Sequence, residues 1–110
     1  MNISDNGLQL TDWAKRSFEI INGLSGESKF KKNNYGDIRI RKVEYSAGYE
    51  ADHWCSKGHI LYGLEGELKV ELKDGTEYSF EKGMSIICGD NGENPHKVIS
   101  KNGATVLIID

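Results

Sequence analysis

Short segments with strand-like patterns dominate the chain from residue 37 onward. Residues 38–45 and 68–72 alternate between apolar and polar side chains, as half-buried strands do. Residues 60–64 form a compact apolar run, and the Asp74-Gly75 pair is typical of a hairpin turn. Further short strands are expected at 77–80, 84–88, 96–100 and 104–109. Regular strands separated by glycine-marked turns predict an all-β sandwich or barrel.

The first 36 residues have a weaker pattern. Residues 8–21 contain an amphipathic stretch that fits either a short helix capped by Thr11 or Asp12, or an extended segment packed on a sheet. We favour extended structure with turns, because several glycines and asparagines follow closely. At 110 residues the chain predicts one domain. Residues 1–36 are its N-terminal extension and residues 37–110 its barrel.

Composition narrows the function classes. Hydrophobic residues make up 37% and charged residues 28%, as in an ordinary soluble protein, and the net charge of −3 excludes the basic surface that nucleic-acid binding requires. The apolar run at 106–109 is too short for a bilayer, and residues 1–5 lack signal-peptide features, so we expect a cytoplasmic protein without a membrane partner. In that reducing compartment Cys55 and Cys88 are expected as a ligand and a core residue, not as a disulfide.

The segment 53–59 carries most of the candidate chemistry. Side chains two apart on a strand share a face, so His53 and Cys55 would project together. His59 follows after a short bend and could return to the same pocket, while His96 stands at the start of a later strand. Imidazole nitrogen and thiolate sulfur suit a divalent ion, with zinc the first choice and iron, nickel or copper as alternatives.

Two stretches resemble the paired motifs of the cupins. In the stretch 48–66, Gly48 is followed by His53-x-Cys55, then by His59 after three residues and by Gly66 after six more. Cupins carry a second histidine where this chain has Cys55 and a glutamate where it has His59. The stretch 83–96 resembles the second motif, which begins at a turn glycine and ends in a proline followed by histidine. The segment 52–59 is also similar to small single-domain cupins named for an aspartate-histidine-cysteine-tryptophan (DHCW) motif.

This resemblance implies a fold and a ligand set. Cupins are double-stranded β-helix (jelly-roll) barrels that hold a metal with side chains pointing inward. The whole chain would then be a single cupin domain, with both motifs in its barrel. Carried over slot by slot, the resemblance assigns His53, Cys55, His59 and His96 as the metal ligands.

The strand that starts near His59 supplies candidate pocket residues. By alternation Leu61, Gly63 and Glu65 share its facing. Gly63 has no side chain and would leave space near the metal; the alternative is a bulge or a close approach of another backbone. Glu65 and Tyr62 are the candidate general bases, and neither is favoured.

The facing of the strand at 38–45 stays open. If Arg39 and Arg41 face inward together with Tyr45, the pocket favours an anionic ligand such as a carboxylate. If Ile38 and Ile40 face inward, the arginines form a solvated surface. Hydrophobicity favours the isoleucines, but the segment has no clean alternation, so both orientations remain.

Three classes of function fit this pattern. The first is a metal-dependent enzyme acting on a small molecule, which needs an open position on the ion. The second is a non-catalytic protein, either a metal-dependent small-molecule sensor or a metal carrier, and four protein ligands closing the ion would favour the carrier. The third is a scaffold without metal. An apolar sheet face near Trp13, Phe18 or Ile20 also predicts a homodimer.

Overall fold

Strands make up most of the described chain. The computed structural model describes residue 3, residues 5–90, residue 92 and residues 95–110. Two sequence interpretations, on the N-terminal segment 1–5 and the polar loop 89–95, fall partly on residues outside that set. The residues that lie outside the described set are Met1, Asn2, Ser4, Asn91, Glu93 and Asn94.

The described residues form nine strands. The strands are β1 Glu19–Asn22, β2 Glu27–Tyr35, β3 Ile38–Tyr45, β4 Tyr49–Glu50, β5 His59–Leu72, β6 Glu77–Glu81, β7 Ser85–Cys88, β8 His96–Ser100 and β9 Ala104–Ile109. A 3-10 turn at Trp13–Lys15 precedes them, with the Asp12 carboxylate accepting from the N–H of Ala14 at 3.1 Å. The predicted all-β class is confirmed. Across the described ranges, no helix has the length and hydropathy to span a membrane.

Two curved layers share the long strand β5. The order β1-β2-β3-β9-β5 is antiparallel throughout, and β7 pairs with the first half of β5. The second half of β5 pairs with β6 and β8, and β4 pairs with β8. Because one strand belongs to both layers, the sheet curls around a common interior as a jelly roll does.

The bend in β5 occurs at its glycines. The sequence pattern favoured two strands at 60–64 and 68–72, but the structure has one strand with a register shift between Gly63 and Glu65. Gly66 follows with a φ of +70°, a backbone conformation that side chains disfavour. A bulge and a left-handed glycine bend the strand and let it pass from one layer to the other.

This bend brings the two ends of β5 together. Fully extended, 14 residues would span about 46 Å at ~3.3 Å per residue, more than the 42 Å longest dimension of the molecule. Leu72 at one end pairs with His96, and the ring of His59 at the other end lies 3.1 Å from the ring of His96. The strand therefore folds back across the barrel and closes it.

The core lies between the two layers. Its members are alternate residues of the central strands and Phe80 of β6, and Leu61, Leu68 and Val106 are each 1% exposed. The cluster consists of Phe30, Val43, Leu61, Leu68, Val70, Phe80, Ala104, Val106 and Ile108. Burial of these apolar side chains is the main stabilising contribution to the barrel.

Substitution at the bend tests its role. A Cβ atom on Gly63 would overlap the carbonyl oxygen of Glu81, whereas a Cβ on Gly89 would meet nothing within 4 Å. We expect Gly63→Ala to lower the free energy of unfolding by about 1–3 kcal/mol, a typical cost of overpacking. The control Gly89→Ala should change it by less than about 0.5 kcal/mol. Urea denaturation followed by circular dichroism measures both, and equal stabilities would contradict the close-approach explanation.

Candidate metal centre

Three of the four expected ligands lie together. The ligand atoms of Cys55, His59 and His96 are all within 4.8 Å of one another. The Cys55 Sγ atom lies 3.5 Å from His59 Nε2, and His59 Nε2 lies 3.1 Å from His96 Nε2. Residues far apart in the chain thus converge on one point, with His96 buried and the other two half-buried.

The spacing of these atoms fits a bound ion. With Zn–N distances of ~2.0–2.1 Å and a Zn–S distance of ~2.3 Å, tetrahedral ligand atoms lie about 3.3–3.6 Å apart. The Cys55–His59 separation of 3.5 Å lies in this range, the His59–His96 separation of 3.1 Å is slightly shorter, and all three atoms lie within 4.8 Å. One sulfur and two imidazole nitrogens form a donor set that zinc accepts, and that iron, nickel and copper also accept.

The backbone holds two of the ligands side by side. The N–H of Cys55 donates to the carbonyl of His96 at 2.7 Å, and the N–H of His96 donates to the carbonyl of Cys55 at 2.9 Å. This antiparallel bridge attaches the irregular segment before β5 to the first residue of β8. The ring of His59 completes the group by meeting the ring of His96 edge to face, with centroids 5.0 Å apart.

Asp110 orients the His59 ring. Its side chain is fully buried, and Oδ2 accepts from His59 Nδ1 at 3.0 Å. Because the ionised carboxylate can only accept, Nδ1 carries the proton and Nε2 keeps its lone pair free for a metal. Arg39 binds the same carboxylate through Nε at 3.0 Å and Nη2 at 2.9 Å.

The sequence patterns above do not identify Asp110, although one signal was present. The alternation of Ala104, Val106 and Ile108 along the buried face of β9 continues to Asp110. A carboxylate on the buried side of a strand requires a charged or hydrogen-bonding partner, and is therefore a candidate site residue. In the folded barrel those partners come from the strands on either side of β9.

Burial sets the protonation of the centre. It lowers the pKa of His59 despite the opposing effect of Asp110, and it lowers the pKa of His96 together with the charge of His59. Burial raises the pKa of Asp110, but hydrogen bonds from Arg39 and His59 outweigh it and bring the pKa to about 2. Near neutral pH both rings are therefore uncharged, which is the form that binds metals.

His53 lies apart from the other three ligands. Its side chain is 74% exposed, and its Nδ1 atom lies 2.6 Å from Asp52 Oδ1. It lines the same cavity as Cys55, His59 and His96, but it is not a member of the cluster that these three form. Alternation along an extended segment suggested a shared facing with Cys55, but the two residues lie in an irregular connection before β5, where that rule does not hold.

A cavity of about 150 Å³ adjoins the cluster inside the barrel. Leu61 lines it, as the alternation from His59 suggested, and so do Arg41 and Tyr45, whose facing the sequence had left open. Gly63 and Glu65 do not line it, and Glu65 follows a register shift that ends the alternation. Gly63 packs against the backbone of Glu81, so it leaves no space near the cluster.

Neither candidate general base reaches this cavity. Tyr62 is 44% exposed on the outer face of β5, and Glu65 is exposed beyond the register shift. Neither residue is among those that line the cavity.

The arginines, not the isoleucines, face the interior of the barrel. In the antiparallel register Arg41 pairs with Ile108, which in turn pairs with Leu61. Arg39 and Arg41 both reach Asp110 from this face. The buried carboxylate explains why charged residues occupy positions that hydrophobicity alone would give to isoleucine.

A larger cavity of about 570 Å³ also borders the cluster. Its wall includes Cys55 and His96 together with the apolar residues Leu72 and Ile86. Cys88 also lines this cavity and is half-buried. The expectation that Cys88 is a core residue is therefore wrong, because it is not a member of the core cluster. Both cysteines are free thiols.

Comparisons with known proteins identify the fold. No family model and no curated protein matches the chain. Among solved structures, it is similar to an RmlC-like cupin from Shewanella frigidimarina, with 16% identity, a TM-score of 0.73, and coverage of 94% of this chain and 89% of that one.

Two further solved structures give the same result. One is a predicted oxalate decarboxylase from Thermotoga maritima, at 13% identity and a TM-score of 0.77 over 92% of this chain and 96% of that one. The other is the iron(II) form of HppE, at 15% identity and a TM-score of 0.75, with coverage of 96% of this chain and 61% of that one. The nine strands around one interior therefore form an RmlC-like cupin fold, a jelly-roll β-barrel.

Proposed function

We propose that this protein binds one divalent metal ion through Cys55, His59 and His96 and presents it to a small molecule in the barrel cavity. The observation that carries the proposal is the convergence of three ligand atoms within 4.8 Å. The buried Asp110 adds support, because metal-binding histidines commonly donate their second nitrogen to a carboxylate. Zinc is the proposed ion, with iron, nickel and copper as alternatives for the same donors.

The number of protein ligands separates the functional classes. Three ligands leave a position for water or a small molecule, as in catalytic and ligand-sensing sites, whereas a fourth protein ligand would close the site. His53 is the residue that could close it, since it lines the cavity, but its ring is directed to Asp52. We therefore propose a three-ligand site.

Metal analysis of single variants tests this ligand set. We expect about one ion per chain in the wild-type protein, and a strong loss in Cys55→Ala, His59→Ala and His96→Ala. The matched control His53→Ala should keep the wild-type content, because its ring is exposed and paired with Asp52. Mass spectrometry of protein purified without added metal measures each. Loss of the ion in His53→Ala would establish a closed site, and retention in the other three would contradict the proposal.

A second variant tests the orienting carboxylate. We expect Asp110→Asn to weaken zinc binding roughly 10–100-fold, because the amide cannot hold the His59 tautomer as a carboxylate does. The control Asp12→Asn should bind like wild type, because its carboxylate only caps the distant turn at Trp13–Lys15. Competition with a chelator of known affinity measures binding, after a thermal melt has verified folding. Equal affinities for the two variants would remove Asp110 from the proposed site.

Non-catalytic ligand binding is a second candidate. When bound, the metal would act as a Lewis acid toward a small molecule in the cavity. Catalysis would also require a proton-transferring group, for which His53 and Tyr45 in the cavity wall are the candidates. If neither group transfers a proton to the bound molecule, the site acts as that of a metal-dependent binding or sensing protein. The two free thiols are consistent with the proposed cytoplasmic location.

We also propose that the protein forms a homodimer through β1. This strand ends the sheet, and it and its flanks expose Phe18, Ile20, Ile21 and Leu24 by 46%, 61%, 51% and 68%. An exposed apolar edge strand favours pairing with a second chain. The half-buried Trp13 lies near this edge and extends the surface.

Sedimentation measures the association. We expect the wild-type protein to sediment as a dimer at micromolar concentration, and Ile20→Lys to sediment as a monomer because it places a charge in the interface. The control Ile87→Lys replaces an equally apolar residue, 75% exposed on β7, and should remain dimeric. A monomeric wild-type protein, or dissociation caused only by Ile87→Lys, would contradict the β1 interface.

A further inference from the structure

The barrel cavity is small and has polar groups at its wall. Its volume of about 150 Å³ corresponds to roughly five water molecules at ~30 Å³ each. Cys55, His59 and His96 line it at one side, and Arg41 lines it from β3. Any molecule that fills this space contacts the metal-ligand cluster and is close to a guanidinium group.

Arg41 has hydrogen-bonding capacity that the protein does not use. Its side chain is 17% exposed, and its Nε atom is buried without a hydrogen-bond partner among the described residues. One Nη atom reaches Asp110 at 3.5 Å, at the limit of a hydrogen bond. Arg39 differs, because two of its nitrogens bind the same carboxylate at 3.0 Å and 2.9 Å. A buried, unsatisfied donor is costly unless a ligand occupies it.

The charges around the cavity are not balanced within the described residues. The cations in its wall are Arg41 and Lys97, and no Asp or Glu lines it in the part of the chain that the structure describes. Lys97 has its own partner, since its Nζ lies 3.0 Å from Glu50 Oε2. The Asp110 carboxylate already accepts hydrogen bonds from Arg39 and His59. Among the described residues that line the cavity, Arg41 is therefore the cation whose positive charge is not neutralised by a carboxylate of its own.

Resting on the proposed metal site, we propose that the barrel cavity binds a small carboxylate whose carboxyl group accepts hydrogen bonds from Arg41. A carboxylate supplies the missing acceptor for Nε and the missing negative charge, and guanidinium–carboxylate pairs are among the strongest hydrogen bonds in proteins. A cavity of about 150 Å³ accommodates a carboxylate of a few carbon atoms. Because the same cavity is lined by the three proposed metal ligands, the rest of the molecule lies beside the ion.

Matched pairs of probes test the role of charge. Acetate, lactate and pyruvate are titrated into zinc-loaded protein up to about 10 mM, alongside the neutral acetamide, lactamide and pyruvamide. We expect at least one carboxylate to bind tenfold or more tightly than its amide by isothermal titration calorimetry. Binding of no carboxylate, equal binding of acid and amide, or tighter binding of inorganic phosphate than of every carboxylate would overturn the proposal.

Variants locate the binding group. Arg41→Gln should weaken the tightest carboxylate tenfold or more, and Arg41→Lys should restore part of the affinity because it keeps the charge. The control Lys42→Gln removes the same charge from the exposed face of β3 and should bind like wild type. All three variants should keep the wild-type zinc content. Equal effects of Arg41→Gln and Lys42→Gln would overturn the assignment to Arg41.

The two proposals fail in different ways. A wild-type protein that contains and binds no metal refutes the metal site. A protein that binds zinc but does not prefer carboxylates over amides refutes only the carboxylate assignment.

Discussion

The bend in β5 is the constraint on which the rest of the molecule depends. Without it, His59 and Leu72 would lie at opposite ends of a strand about 46 Å long, and the partner of Leu72, His96, could not reach His59. The register shift after Gly63 and the left-handed Gly66 place both ends at one side of the barrel. The isolated antiparallel bridge between Cys55 and His96 then adds the third ligand. Closure of the barrel and assembly of the cluster are consequences of the same local distortion.

Asp110 is the second link between fold and site. It lies in a row across three adjacent strands, with Arg39 on β3 and His59 on β5 as its partners. Cross-strand neighbours of this kind project to the same face, so the register that pairs Arg41 with Ile108 also aligns this row. The carboxylate therefore neutralises an arginine that faces the interior and fixes a ring at the cluster. The Asp110 charge is tolerated in the interior because Arg39 and His59 lie within hydrogen-bond distance of it.

The sequence predicted the parts of the structure that follow from local pattern. The all-β class, the Asp74-Gly75 hairpin and most strands from residue 38 onward are confirmed, because alternation and turn chemistry act over a few residues. The two strands expected at 60–64 and 68–72 are instead one strand. The inward facing of Arg39 and Arg41 could not be decided, since it depends on Asp110, some 70 residues further along the chain.

The same limit applies to the candidate site. Three of the proposed ligands converge, but the position of His53 depends on the path of an irregular connection, which no periodicity describes. The role of Gly63 was equally undecided from the sequence. A missing side chain could mean open space or a close approach, and only the neighbouring backbone of Glu81 distinguishes them. Long-range partners, rather than local propensity, decided each of these cases.

The charge of the centre limits what the cavity can hold. A divalent ion bound by one thiolate and two neutral imidazoles would carry a net charge of about +1, because only the sulfur contributes a negative charge. Arg41 adds a second positive charge at the wall of the same small space, and Asp110 is already shared between Arg39 and His59. Two positive charges without full counterions beside one small cavity repel a cation and favour an anion. The metal and the arginine would thus select the same sign of ligand, and loss of either would weaken the attraction that remains.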